Sequence, residues 1–203
     1  MRRYIMKKIF QYMFIISLLF GVSSMAYADA SKWKIDPAHA GIYFSIDHIF
    51  SKVKGHFNDF DAEIYFDPNN LEQSRAIFTV KVSSIDTNNT KRDGHLQSDD
   101  FFSAKKYPNM RFESTAVTHS HDNRYMVDGT MTIKDVSRKV KLPFTFLGTK
   151  PNPFNPKQEV AGFELSMTID RFDYNVGNGK FLDLGVVGKY VDVIITLELT
   201  RNI

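Results

Sequence analysis

Apolar and polar side chains alternate along most of this chain. In residues 42–48, IYFSIDH, one face carries Ile42, Phe44, Ile46 and His48, and the other Tyr43, Ser45 and Asp47. The same period runs through 60–66 on Phe60, Ala62, Ile64 and Phe66, and through 76–82 on Phe78, Val80 and Val82. Met110 and Phe112 continue it, as do Tyr125, Val127, Met131 and Ile133, then Val140, Leu142, Phe144 and Phe146. Two longer runs close the set: Ala161, Phe163, Leu165, Met167 and Ile169, and Val191, Val193, Ile195, Leu197 and Leu199. One dry and one wet face per segment is the mark of a half-buried antiparallel strand, so the pattern predicts about eight. Turn-forming stretches separate them: Asp67-Pro68-Asn69-Asn70, His121-Asp122-Asn123, Lys134 to Ser137, and the Pro/Asn-rich loop 149–158. Such strands either stack as a sandwich or close into a barrel. Closure removes both exposed edges, and the length of the runs favours it. An eight-stranded barrel is either filled by side chains or holds one small ligand, and alternation alone does not choose.

Residues 88–106 break the pattern. Thr90 and Asp93 have the spacing of a capping box, and Lys91 to Ser98 spans two helical turns. Ser98 or Asp99 is placed to cap a second short helix through Ala104, before Pro108 forces a stop. Phe101 and Phe102 would press the segment onto the barrel. Arg92, Asp93 and His95, with Asp86, Asp99 and Asp100 nearby, invite a catalytic reading. Neighbours on a helix point about 100° apart, however, and neither Ser84 nor Ser98 sits in a nucleophile elbow. Capping and ion pairing over one barrel end suits the residues better, and an entrance to a cavity beside this helical flap is the intermediate reading.

The N-terminus changes the charge argument. Arg2, Arg3, Lys7 and Lys8 precede an apolar run from Ile9 to Phe20, and small residues lead to Ala26-Tyr27-Ala28. That is the layout of a cleavable secretory signal over 1–28, leaving one domain over 29–203. The full chain carries 26 basic and 23 acidic residues; the leader takes four basic and no acidic ones, so +3 becomes −1. No basic patch then calls for a nucleic acid. With no cysteine, disulfides, thiol catalysis and Cys-bound zinc are excluded. After the leader no apolar stretch is long enough for a spanning helix. A membrane-spanning barrel would put Lys81, Lys139, Lys141 and Glu198 against lipid.

Few residues hint at chemistry. His48 shares the dry face of its segment, as a satisfied rim histidine or a contact for a ligand's polar end. His119 and His121 run into a turn with no further ligand, so no metal or other cofactor is expected. His39 and His56 are isolated in the sequence. Gly177-Asn178-Gly179 lacks the complete Gly-Lys-Ser/Thr ending of a phosphate loop, since Phe181 follows Lys180, and Gly185 and Gly188 suit a bulge or bend. The 15 phenylalanines beyond the leader suffice either to line an apolar interior or to fill one.

In order, the stretches WKIDPAHAGIYFSIDHIF (33–50), KVKGHFNDFDAEI (52–64), SSIDTNNTKRDGHLQSDDFFSAKKYPNMRFEST (83–115), DGTMTIKDVSRKVKLPF (128–144) and GFELSMTIDRFDY (162–174) resemble the YceI-like family of exported, lipocalin-like polyisoprenoid-binding proteins. Ala40 stands where the family usually has Ser, Lys134-Asp135 replaces a more usual Gly-containing turn, and 175–189 matches poorly. The resemblance implies an all-β, eight-stranded antiparallel lipocalin-like barrel with a short helical flap around 90–106. It implies a periplasmic carrier of a long-chain isoprenoid, quinone-like or fatty-acyl lipid, and brings no enzyme activity. Phe44, Ile46, Phe66, Phe78, Val80, Phe112, Met131, Phe144, Phe163, Met167 and Ile195 are then expected to line the tunnel, with His48 and Arg92 at a polar head. The rivals are a lipid-acting enzyme using His48 or His95 and a stress-related interaction protein with a filled barrel. The sequence is silent on oligomeric state, a homodimer being one allowed assembly.

Overall fold

The computed structural model describes residues 30–203, so the leader expected over 1–28 lies outside the described residues. Eleven strands form one antiparallel sheet: β1 (Lys32–Ile35), β2 (Gly41–His48), β3 (Ser51–Phe57), β4 (Phe60–Tyr65), β5 (Arg75–Lys81), β6 (Ile85–Asp86), β7 (Asn109–His121), β8 (Arg124–Ile133), β9 (Val136–Pro151), β10 (Gln158–Asp170) and β11 (Val187–Asn202). They make eight staves, because three staves are interrupted. Both β1 and β2 pair with β11, and five residues bulge out between them. Then β3 pairs with β2 while β4, two residues further on, pairs with β1. Likewise β5 pairs with β4, and β6 with β3, across a 3-10 turn at Val82–Ser84. The other five staves, β7 to β11, are each unbroken along 10 to 16 residues. Pairing of β1 with β11 closes the ring.

The eight predicted runs fall on β2, β4, β5 and β7 to β11. Val82 leaves its predicted strand for the 3-10 turn, where it is almost wholly buried. The Pro/Asn-rich loop is shorter than 149–158, since β9 runs to Pro151 and β10 starts at Gln158. Tight turns sit at Asp122-Asn123 and Lys134-Asp135, and Asp122 and Lys134 take positive φ there. The register of β11 against β2 shifts between Val187 and Val191, around Gly188.

Tips and connections gather at two ends. One end holds the β2–β3 tip, the segment 87–108, the β8–β9 turn and the segment 171–186; this is the flap end. The far end is packed with rings. Phe66 lies 5.4 Å from Tyr125, 5.9 Å from Phe144, 5.0 Å from Phe146 and 5.2 Å from Phe163, centroid to centroid. Trp33, Ile64, Ala161, Leu197 and Leu199 complete this cluster. The Trp33 indole N–H donates to the Phe66 carbonyl at 3.0 Å, so the one polar atom of that side chain is satisfied in the core.

The flap is one short helix, α1 (Thr90–Gln97), followed by turns. Its N-cap is Asn89, not Thr90: the Asn89 side-chain oxygen accepts from the Arg92 N–H at 3.0 Å. Asp93 instead accepts from both the N–H (2.9 Å) and hydroxyl (2.6 Å) of Thr87. The predicted second helix does not form. Ser103 takes φ +51°, and residues 98–107 fold as successive turns with Phe101, Ser103 and Tyr107 donating back to Ser98 or Ser103 carbonyls. Because α1 buries no residue fully, it depends on its cap and its Thr87 knot. Asn89→Ala is expected to cost about 1 kcal/mol, read as a lower midpoint in urea denaturation.

Candidate ligand-binding site

Inside the wall lies a cavity of about 440 Å³, within the range of small-molecule sites, roughly 300–1,000 Å³. Its surface is almost wholly apolar. All eleven positions expected on the tunnel side, from Phe44 to Ile195, border it. They do not play one part. Phe66, Val80, Met131 and Phe163 are buried in the packed clusters that bound the space. Phe44, Ile46, Phe78, Phe112, Phe144, Met167 and Ile195 point inward yet stay only half-buried. Inward side chains of a filled barrel would be close-packed on all sides, so their residual exposure is the imprint of the hollow. Two glycines help shape it. A Cβ on Gly55 would come 2.5 Å from the Phe44 ring, and one on Gly129 2.6 Å from the Phe112 ring, so both rings lie over bare backbone.

The flap end forms the roof. Leu96 from α1, with Phe101 and Phe102 behind it, packs over the ends of β7 and β8. A second short helix, α2 (Lys180–Asp183), brings Phe181 to within 5.9 Å of Phe101 in a stacked pair. His95 sits edge-on to both rings, at 5.1 and 5.6 Å, and its Nε2 bonds Asp100 at 3.1 Å. Beside them Ile49, at φ +51°, donates its N–H to the Val186 carbonyl at 3.1 Å, which ties the β2–β3 tip to the segment after α2.

Polar groups reach the cavity mainly at this end: His48, Arg92, His95 and Arg171. Arg92 is held by Thr87, whose hydroxyl accepts from Nε and whose carbonyl accepts from Nη2, both at 2.7 Å. Arg171 is buried, with 5% of its surface exposed. Its Nε donates to the Gly188 carbonyl (2.9 Å) and its Nη1 to the Val176 carbonyl (2.7 Å), and its guanidinium lies 4.0 Å over the Phe172 ring. Burial pushes its pKa below the usual arginine value. Sequence reasoning missed Arg171, though it continues the dry parity of Leu165, Met167 and Ile169. At the far end Arg75 also borders the space, but from an exposed position stacked on Tyr65 at 3.8 Å.

Several polar candidates lie apart from the cavity. His119 bonds the Asp122 carbonyl within its turn, at 2.8 Å. Among the described residues one group gathers metal-ligating atoms: Asp36, His39 and Glu198, all within 4.8 Å. The apparent isolation of His39 is thus corrected by the bulge between β1 and β2, which folds it onto Asp36 and beside β11. The exposed His39 ring bonds Asp36 at 2.9 Å. That bond raises the His39 pKa and lowers that of Asp36, so the pair behaves as a surface ion pair. None of the three borders the cavity.

Comparisons with known proteins agree with this architecture. A YceI-like domain profile matches residues 33–199. Protein YceI of Escherichia coli O6:H1 is 36% identical over 196 residues, covering 95% of this chain and 97% of that protein. Among solved structures, BcnA of Burkholderia cenocepacia superposes with a TM-score of 0.70 at 28% identity, covering 83% of this chain and 99% of that one. A polyisoprenoid-binding domain from Saccharophagus degradans shares the fold, with a TM-score of 0.61 at 14% identity over 82% of this chain and 97% of its own.

Proposed function

This chain belongs to the YceI-like family, and from that membership and the hollow barrel we propose that it is an exported carrier sheltering one long apolar chain, a polyisoprenoid, quinone-like or fatty-acyl lipid. The observation that carries the reading is the ring of inward, half-buried apolar side chains around 440 Å³ of space. Each methylene moved there from water contributes about 0.8 kcal/mol. Specificity is set by bore and depth, with few hydrogen bonds to satisfy. The polyisoprenoid-binding neighbour supports the ligand class, and the leader pattern over 1–28 supports a periplasmic site of action.

Native mass spectrometry of the purified protein, followed by lipid extraction, tests this directly. A long-chain lipid at one per barrel is expected. Protein that brings no lipid and refuses added chains sinks the proposal and favours a filled interaction module. The enzyme reading is separated by the double variant His48→Ala, His95→Ala. Retention of most of the lipid with no change in its chemistry is the outcome expected of a carrier.

A further inference from the structure

The barrel's most buried cation, Arg171, bonds no carboxylate directly. Asp170, its chain neighbour, is bound to Lys189 at 2.7 Å, and among the described residues Arg171 makes no ion pair. Two backbone carbonyls take Nε and Nη1, but a carbonyl offers only partial charge. Nη2 makes no hydrogen bond, yet among the described residues no side-chain nitrogen or oxygen is both sealed and unpartnered, so Nη2 keeps an open side. Arg171 borders the cavity. The chain around it is built to hold it there: a Cβ on Gly177 would collide with its Nη1, and Gly177 takes φ +92°. Asp170 still acts on Arg171 through space, but its direct partner is Lys189. A desolvated guanidinium with so little direct compensation is costly, and a ligand that brings a charged oxygen to it supplies a strong, charge-assisted bond. Arg92, at the same end, also lacks an ion pair and adds to the positive field.

We propose that Arg171 anchors the head of the ligand, receiving an anionic oxygen of a carboxylate or phosphate monoester whose apolar tail lies in the cavity. This deepens the carrier reading and rests on it. It orients the guest, with its head under the roof made by α1 and α2 and its tail toward the Phe66 rings.

The test compares hexadecanoate, hexadecyl phosphate and hexadecanol on the delipidated protein at pH 8, by displacement of a fluorescent lipid. At least one of the two anions is expected to bind roughly tenfold to a hundredfold more tightly than the alcohol, and which one does so tells carboxylate from phosphate. In Arg171→Met the ratio of anion to alcohol affinity falls to about one, whatever happens to the alcohol's own affinity; Arg171→Lys restores part of the ratio. In the wild-type protein the Arg171 Nε–H resonance shifts with the preferred anion and not with the alcohol, a readout that needs no variant to fold. Equal affinity for all three overturns the anchor and leaves the carrier standing. An unmoved Arg171 resonance, or anion preference surviving in Arg171→Met, also overturns it. Failure of every chain to bind removes the carrier reading and the anchor together.

Discussion

Phe78→Trp protein is expected to emerge from native purification without its lipid. Phe78 points inward from β5, opposite Ala62 on β4 and Phe112 on β7, and it is only half-buried. The space before its ring belongs to the cavity, so a larger indole extends into room that the guest requires instead of displacing protein. Fold stability should change little. The measurement is lipid per barrel by native mass spectrometry beside the parent, and equal loading would show that the guest lies elsewhere. Met131→Trp is a harsher version of the same experiment. Met131 is already buried against the cluster of Phe101, Ile133 and Tyr174, where overpacking costs typically 1–3 kcal/mol. It should lower both lipid loading and stability, whereas Phe78→Trp separates the two.

The second large effect is on stability. Phe66→Ala should destabilise the barrel by about 3–5 kcal/mol, as expected for removing a buried aromatic ring from a packed core. Phe66 is 4% exposed and meets four rings, and its carbonyl takes the Trp33 indole N–H. Urea denaturation of lipid-free protein gives the number free of any stabilisation by bound lipid. A loss below 1 kcal/mol would mean that the ring cluster is not what holds the far end.

These two residues also show how far the sequence could be read. Phe66 and Phe78 share the dry face of alternating segments, and alternation placed both inward. It did not tell a ring packed into the core from one facing a void, because both are simply apolar at that parity. The long strands were legible for the same reason: β10 and β11 each show one wet and one dry side over more than a dozen residues. Strand β3 was not. Its inward positions are Val53, Gly55 and Phe57, and the glycine that accommodates the Phe44 ring breaks the apolar rhythm. Strands β1 and β6 are too short to display a period. The flap was legible as an interruption, but its cap was displaced by one residue because Asn89 outcompetes Thr90 and Asp93 turns back to Thr87. Arg171 needed the fold. Its parity marked it as inward, but only the closure of 172–188 over it shows that it is desolvated and bonded to carbonyls in place of an ion pair.

The interrupted staves are neighbours, and this divides the circumference. From β7 round to β11 each strand runs uninterrupted, with register shifts only in the β7–β8 and β9–β10 ladders, and the longest ladder joins thirteen residue pairs. From β1 to β6 every stave is cut into short pieces by a bulge or 3-10 turn, and β5 meets β7 over only five pairs. Short ladders open at lower free energy than long ones. The wall is therefore stiff on one flank and compliant on the other. A guest broader than the resting bore would be accommodated by give in the compliant flank, so that one scaffold admits chains of differing girth while the stiff flank keeps its shape.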